Sequence, residues 1–206
     1  MLKKLPTQIP IFPLSGVIYF PKTNLPLNIF EQRYLDLVND TLKKDKLMGM
    51  IQSKKENPQI YNVGCLGKIS DFKRKKDGRI LINLTGLIRF EILKEIQNSK
   101  LYREFNVNYN KFEKDLITTR NQITDEVIMK KVKIFFENNG LLLNWKEFEK
   151  LEQDQRINTL AMIAPVTNEE KQKLLETTTL QEKVETLEKI INFYLHNINF
   201  NNQTIQ

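Results

Sequence analysis

The sequence predicts an α+β protein in which a small β-barrel is followed by a C-terminal α-helical bundle. Short apolar runs with period-2 alternation fill the first part of the chain, whereas helix-start signals and helical apolar spacing fill the second. Six of the seven glycines and six of the seven prolines lie before residue 110. The predicted boundaries are a barrel segment over residues 1–115 and a helical segment over residues 116–206, which ends in a frayed tail from Asn197.

The strands of the first segment are predicted from alternation. Ile80, Ile82 and Leu84 alternate with polar or smaller side chains, and similar patterns surround residues 90–92 and 105–109. Asp77-Gly78 between two apolar runs, over residues 64–74 and 79–87, indicates a hairpin. A further strand over residues 47–52 and one helix over residues 31–44 complete the segment. Five or six short strands around one helix are typical of a small barrel that is closed or half-closed.

The helices of the second segment are predicted from caps and spacing. Thr167 with Glu170 and Thr179 with Glu182 have the spacing of capping boxes, and Asn144 with Glu147 is a weaker example. The predicted helices cover residues 122–139, 146–153, 155–163, 168–176 and 180–197. Gly140 is expected to end the first of them, and Pro165 to separate the third from the fourth.

Composition excludes several classes of protein. One cysteine, Cys65, cannot form an internal disulfide, and with one histidine, His196, it cannot build a four-ligand zinc site. No apolar run reaches the length of a membrane helix, and the N-terminus lacks the features of a signal peptide. We therefore expect a cytoplasmic protein without a cofactor. The net charge of +7 is concentrated in the first segment, since residues 1–110 carry +9 and residues 111–206 carry −2.

No catalytic motif is found. Gly67-Lys68 is followed by Ile69, so there is no Walker A motif, and neither a Gly-x-Ser-x-Gly elbow nor a His-Glu-x-x-His pair occurs. Cys65 has no histidine in its own segment to act as a base, and is expected to be a small buried side chain. His196 is expected to be a solvated residue near a helix end. The sequence therefore predicts a protein that is not an enzyme.

Residues 9–34 carry the sharpest local pattern, with prolines at positions 10, 13, 21 and 26 among five aromatic residues. Prolines remove donors from a sheet, so these strands are expected to be short, bent or at an edge. This stretch resembles the opening of the N-terminal, substrate-binding domain of the Lon protease family, above all its stand-alone bacterial members. The matching motifs, in chain order, are Pro13-Leu14, Phe20-Pro21, Pro26-Leu27, Phe30-Glu31-x-Arg33-Tyr34, Val63–Ile69, Asp77-Gly78, Leu84–Phe90 and Lys171–Glu176.

The resemblance covers residues 9 to 195 and implies a PUA-like barrel followed by a helical bundle. It implies a polypeptide-recognition module of protein quality control that acts alone or as an adaptor. The ATPase and Ser-Lys protease domains of full-length Lon proteases are not expected in this chain. Whether a separate ATPase collaborates is left open.

Two sets of residues are candidates for binding. An apolar patch for unfolded polypeptide is expected in the proline-broken stretch and at the start of the barrel helix, comprising Phe20, Pro21, Leu25, Pro26, Arg33 and Tyr34. The alternatives are that these apolar side chains plug one end of the barrel and that Arg33 pairs with a barrel carboxylate.

The second set is a basic hairpin tip that could bind an anion, comprising Lys73, Arg74, Lys75, Lys76 and Arg79. The alternative function is therefore an RNA-binding module. A PUA-like fold and four aromatic residues that could stack on bases also favour it, namely Tyr61, Phe72, Tyr102 and Tyr109. The simpler interpretation is a solvated turn that protects a sheet edge.

Overall fold

The computed structural model describes residues 5–54, 59–117 and 126–203. The chain forms two compact units that divide between Ile117 and Thr118. A mixed sheet of six strands with one α-helix makes up the first unit, and the second is helical. The prediction of strands followed by helices is therefore confirmed. None of the described helices is long and apolar enough to cross a lipid bilayer.

The described residues of the first unit form six strands, one α-helix and a closing 3₁₀ segment. Their bounds are β1 (Gln8–Leu14), β2 (Asn24–Ile29), α1 (Gln32–Leu42), β3 (Leu47–Gln52), β4 (Val63–Arg74), β5 (Ile80–Ile96), β6 (Arg103–Asn108) and the 3₁₀ segment (Asn110–Leu116). The strand order is β2-β5-β4-β3-β1-β6, and β5 pairs with β6 as well. Each of five strands therefore pairs with at least two neighbours, and together they make a circuit of paired strands: β5, β4, β3, β1 and β6. Among the described strands, β2 alone lies outside this circuit.

Strand β5 is much longer than the sequence analysis predicted. It runs for 17 residues without a break, and β4 runs for 12. Residues Ile80–Thr85 of β5 pair with β2, and residues Glu91–Ile96 pair with β6. The expectation of short strands is wrong here because one strand serves two neighbours in succession. The predicted hairpin between β4 and β5 is confirmed, and it turns at Gly78 with φ of +86°.

Strand β1 carries Pro10 and Pro13 although it lies between two neighbours. It pairs with β6 over Gln8–Ile11 and with β3 over Ile11–Leu14. Each proline therefore falls where β1 has a registered partner on one side only. The expectation of short, bent or edge strands is met in two ways. Strand β1 has seven residues and lies between two neighbours, and the change of partner at Ile11 accommodates the missing donors. Strand β2 lies at an edge, since among the described strands it pairs only with β5.

A buried ion pair holds the 3₁₀ segment against the sheet. Arg89 on β5 is 3% exposed and donates through Nε and Nη2 to the two carboxylate oxygens of Asp115, at 2.9 and 2.7 Å. The backbone amide of Arg89 donates to the same carboxylate at 3.0 Å. The guanidinium also lies over the Phe112 ring, 4.3 Å from its centre. The alternation of apolar and polar residues around residues 90–92 predicts that Arg89 faces solvent. In the structure the 3₁₀ segment covers Arg89 instead.

The second unit contains five helices among the described residues. Their bounds are α2 (Glu126–Asn138), α3 (Trp145–Phe148), α4 (Gln153–Ile163), α5 (Asn168–Glu176) and α6 (Leu180–Gln203). The helix predicted over 146–153 is a single turn that ends at Phe148, and the start predicted for the first helix at 122 lies outside the described residues. A frayed tail is predicted from Asn197, and α6 extends into that stretch as far as Gln203.

Two of the predicted helix starts have the expected side-chain caps. Thr167 and Glu170 form a complete capping box at α5, and the Asn144 side chain accepts from the Glu147 amide at α3. At α6 the Glu182 amide donates to Thr179 Oγ1, while the Glu182 carboxylate accepts from Thr178. The reciprocal bond therefore reaches one residue further back than a capping box requires. Each cap satisfies amides that the first helical turn leaves without partners.

Candidate functional site

The loop that carries Phe20 and Pro21 packs directly on β5. Lys22 donates its amide to the Gly86 carbonyl, and Gly86 donates to the Thr23 carbonyl, both at 2.9 Å. Phe20 is 0% exposed, and Pro21 and Leu25 are buried as well. The expectation that these three side chains leave apolar surface is therefore wrong. The loop is held too close to Gly86 for them to reach solvent, and the alternative that they fill the interior fits.

Strand β2 presents one exposed face and one unpaired edge. Because the Gly86 amide donates to the Thr23 carbonyl, the next pair along the two strands, Asn24 and Thr85, has no direct backbone hydrogen bond between its members. The same holds two residues further on, for Pro26 and Asn83. The nitrogen of Pro26 therefore points away from β5, where its missing proton costs no sheet bond. Among the described residues no strand lies beyond this edge. Pro26 is exposed, and it interrupts the row of outward donors between Asn24 and Asn28.

The connection from β2 to α1 exposes a large aromatic side chain. Phe30 is 64% exposed, directly after the buried Ile29. Phe30 lies two residues after the exposed Asn28, so it has the same position in the alternation of exposed and buried side chains. This spacing is the sequence signal that could have identified Phe30 as exposed. Phe30 lies in the Phe30-Glu31-x-Arg33-Tyr34 motif but outside the set of binding residues that the sequence predicts. An exposed phenyl ring beside an unpaired edge is a feature that an extended apolar peptide can use.

Arg33 and Tyr34 lie just beyond Phe30 with different exposures. The Arg33 side chain is 54% exposed and donates to the Glu31 carboxylate at 2.7 and 3.0 Å. The expected barrel carboxylate is thus replaced by a local one at the start of α1. Tyr34 is 8% exposed, packs edge-to-face on Phe12, and lies 4.5 Å under the Arg33 guanidinium. Burial raises the pKa of Tyr34, so its hydroxyl stays neutral.

The basic hairpin tip is exposed throughout, but two of its five cations are engaged. Arg74 donates to the Asn39 side chain of α1 at 2.8 Å, and Arg79 pairs with Asp77. The Arg79 guanidinium lowers the pKa of Asp77 through this hydrogen bond. Lys73, Lys75 and Lys76 make no side-chain bond within the described part of the chain. Of the aromatic residues considered for stacking, Tyr102 and Tyr109 are buried, whereas Phe72 is 42% exposed.

The two residues considered for catalysis, Cys65 and His196, belong to different compact units. Cys65 is buried on β4 at 0% exposure, as the sequence predicted. His196 is exposed on α6, and that helix extends past it. No group of three or more His, Cys, Asp or Glu side chains in the described ranges could hold a metal ion.

A family model for the substrate-binding domain of the ATP-dependent protease La (Lon) matches residues 8–192. The chain belongs to this family. It is 25% identical over 208 residues to the Lon protease of Syntrophus aciditrophicus, where the alignment covers 93% of this chain and 26% of that protein. The Lon protease of Malacoplasma penetrans is 27% identical over 195 residues, covering 86% and 24%. The chain thus spans about a quarter of the length of these relatives.

Two solved Lon N-terminal domains share the fold. The Lon N-terminal domain protein of Xanthomonas campestris superposes with a TM-score of 0.67 at 21% identity, covering 88% of this chain and 97% of that one. The N-terminal domain of the Mycobacterium avium complex Lon protease gives 0.63 at 15% identity, covering 90% and 98%. The resemblance drawn from the sequence motifs is confirmed by these matches.

The Lon-like motifs quoted from the sequence are mainly packing residues in the structure. A Cβ on Gly67 would lie 2.6 Å from Leu84 Cγ, and one on Gly64 would lie 2.5 Å from the Met50 carbonyl oxygen. Lys171 of the helical motif donates to the Met162 carbonyl at 2.9 Å, and burial lowers its pKa. Many of the residues that made the family recognisable therefore maintain the fold, whereas Pro26, Phe30 and Arg33 belong to the same motifs and are exposed.

The far end of α1 carries a hydrogen bond whose effect can be titrated. Tyr102 donates to Asp40 Oδ2 at 3.0 Å, and this bond is the main cause of a lowered pKa at Asp40. We expect Tyr102→Phe to raise the pKa of Asp40 toward its ordinary value. A carboxyl group whose pKa is lower in the folded than in the unfolded state stabilises the fold at pH values above its unfolded-state pKa. That stabilisation is lost as the pH falls through the folded-state pKa. The stability difference between the variant and the parent should therefore be full above about pH 4 and shrink below it.

The measurement is an NMR titration of the Asp40 carboxyl carbon in both proteins, with urea unfolding at neutral and acid pH. Glu95 serves as an internal reference, because Arg103 lowers its pKa independently. An Asp40 titration that does not move in the variant would contradict the assignment.

Proposed function

We infer that this chain binds unfolded or apolar-rich polypeptide and serves as a substrate-recognition module, alone or as an adaptor in protein quality control. The observation that carries the proposal is the match of residues 8–192 to the Lon substrate-binding family. The exposed Phe30 next to the unpaired edge of β2 supports it by supplying a surface of the right chemistry. Pro26 and Arg33 flank Phe30 and complete the proposed surface, which would bind polypeptide through noncovalent contacts.

A smaller proposal concerns the architecture. The circuit of paired strands β5, β4, β3, β1 and β6 supports describing the first unit as a small PUA-like barrel. The division of the chain after Ile117 supports a barrel domain over residues 1–115 and a helical domain over 116–206. Cys65 is buried and, as the one cysteine of the chain, forms no internal disulfide, which fits a reducing compartment such as the cytoplasm.

Phe30→Ala is expected to weaken binding of a fluorescently labelled, apolar-rich unfolded peptide about fivefold to tenfold, because a central aromatic contact contributes on the order of 1 kcal/mol or more. The matched control is Leu93→Ala, since Leu93 is 63% exposed on the same unit and lies outside the proposed surface. The measurement is fluorescence anisotropy at two salt concentrations. Parent binding in the micromolar range that survives moderate salt supports the proposal. Equal losses in the two variants, or no binding of denatured-protein peptides by the parent, would reject it.

RNA binding is the second candidate, and the observation that favours it is the set of exposed lysines Lys73, Lys75 and Lys76 at the hairpin tip. A short RNA measured in the same series distinguishes the two, because binding through phosphates falls steeply with salt. Neutralising Lys73, Arg74, Lys75 and Lys76 together should abolish RNA retention if this candidate holds. Unchanged retention would eliminate the hairpin tip as an RNA site.

A further inference from the structure

A cleft of about 200 Å³ lies within the first unit, between the end of α1 and the start of β1. Its apolar walls include Ile9, Pro10 and the ring of Tyr102. Three carboxylates line it, namely Asp40, Asp45 and Glu104, against a single cation, Lys44. In a chain with a net charge of +7 this is a locally acidic concavity.

The carboxylates are already partly engaged, to different extents. Glu104 accepts from Lys100 at 2.7 Å and from Asn98 at 2.9 Å, while Asp40 accepts from Tyr102 and Lys43. Asp45 accepts only from the Leu47 amide, at 3.2 Å, and has no ion-pair partner among the residues the structure describes. The site therefore has acceptor capacity left, chiefly at Asp45.

A buried polar group in the lining has no partner. Thr41 is 3% exposed, yet its Oγ1 makes no hydrogen bond. Buried hydroxyl groups are nearly always hydrogen-bonded, because an unsatisfied one costs about 1–3 kcal/mol. Thr41 lines the same cleft as the three carboxylates, so a donor that enters the cleft could satisfy it.

We propose that this cleft takes the cationic side chain of an arginine or lysine from a bound polypeptide. Such a side chain has an apolar stem that matches the walls and donors that match Thr41, Asp45 and Glu104. The carboxylates are not grouped closely enough to share a metal ion, so an organic cation suits them better. A wider depression of about 330 Å³ shares Asp40 and Tyr102 with the cleft and leaves room for the rest of the chain. The inference rests on the proposed polypeptide-binding function and specifies which residues are preferred.

The direct test uses Nα-acetyl-argininamide and Nα-acetyl-lysinamide as probes, with Nα-acetyl-citrullinamide as the neutral counterpart of arginine. Each is titrated into the full chain and followed by amide NMR shifts. We expect saturable shifts at Thr41, Asp45 and Glu104 with the cationic probes, and binding about tenfold weaker with citrullinamide. The cation that binds more tightly identifies the preferred residue. Equal shifts with the neutral probe, or no saturable shift with either cation, would overturn the proposal.

Variants and peptides separate this inference from the proposed function. Thr41→Val, which keeps the shape of the side chain, and Asp45→Asn should each weaken argininamide several-fold. Asp71→Asn removes the same charge from β4, outside both the cleft and the wider depression, and should leave the affinity unchanged. An unfolded peptide is then compared with the same peptide carrying citrulline for arginine. Equal binding of the two overturns the cleft inference and leaves polypeptide binding standing. Binding of argininamide without binding of either peptide supports the cleft and rejects the proposed function.

Discussion

Asp115→Ala is expected to lower the free energy of unfolding of the first unit by about 3–5 kcal/mol. The reason is the burial of its partner, because Arg89 is 3% exposed and would keep its charge after losing the carboxylate. Three hydrogen bonds to that carboxylate would be lost, two from the guanidinium and one from the backbone amide of Arg89. The 3₁₀ segment would also lose its main polar attachment to β5.

The matched control is Glu95→Ala. Glu95 accepts two 2.7 Å bonds from Arg103, so the pair geometry is similar, but both side chains are more than a third exposed. A pair exposed to this extent contributes at most about 1 kcal/mol. Urea unfolding followed by hydrogen exchange in β4 and β5 reports on this unit alone. Equal losses in the two variants would show that burial does not determine the strength of the Arg89 pair.

A double variant tests the coupling directly. If the cost of Asp115→Ala comes from an uncompensated charge, adding Arg89→Met should cost less than the sum of the two single changes. Strict additivity would mean that the two side chains stabilise the unit independently of each other.

Gly86→Ala is expected to destabilise the first unit by about 3 kcal/mol, at the upper end of overpacking effects. The added Cβ would lie 2.2 Å from the Phe20 carbonyl oxygen and 3.0 Å from the Pro21 Cα. Both atoms belong to the backbone, so the 20–23 loop would have to move. The backbone amides of Lys22 and Gly86, which bond the loop to β5, should exchange with solvent far faster in the variant.

The contrasting variant is Gly78→Ala, at the tip of the β4–β5 hairpin. Gly78 has φ of +86° and nothing within 4 Å of an added Cβ, so the cost is conformational and about 1–2 kcal/mol. The amides of the 20–23 loop should remain protected in this variant. Loss of loop protection in both variants would contradict the steric account of Gly86.

The sequence predicted the local features of the fold better than the pairing of distant segments. The hairpin turn at Asp77-Gly78 and the caps at Thr167 and Asn144 depend on a few adjacent residues, and the structure confirms them. The place of β1 between β3 and β6, in contrast, depends on partners far along the chain. Alternation also could not show that the 3₁₀ segment covers Arg89, because that contact joins positions 26 residues apart.

The candidate surface was predicted only in part, because the exposure of a side chain also depends on contacts with distant parts of the chain. Proline and aromatic residues indicated a special stretch, but their exposure depends on what packs against them. The close approach of the 20–23 loop to Gly86 buries Phe20, whereas Phe30 remains 64% exposed. The acidic cleft could not have been predicted at all, because its carboxylates come from α1, the turn after it and β6.

The pairing of β1 with β6 has a consequence for how the first unit assembles. The β4–β5 hairpin joins residues close in sequence, such as Ser70 and Asn83, which are 13 positions apart. At the other extreme, the Tyr109 hydroxyl donates to the Pro6 carbonyl, 103 residues earlier. Because closing a longer loop costs more chain entropy, the hairpin can form early, whereas the segment around Pro6 can join the sheet only after most of the unit has been synthesised and ordered. During synthesis on the ribosome, β1 therefore waits without its β6 partner until the last strand emerges.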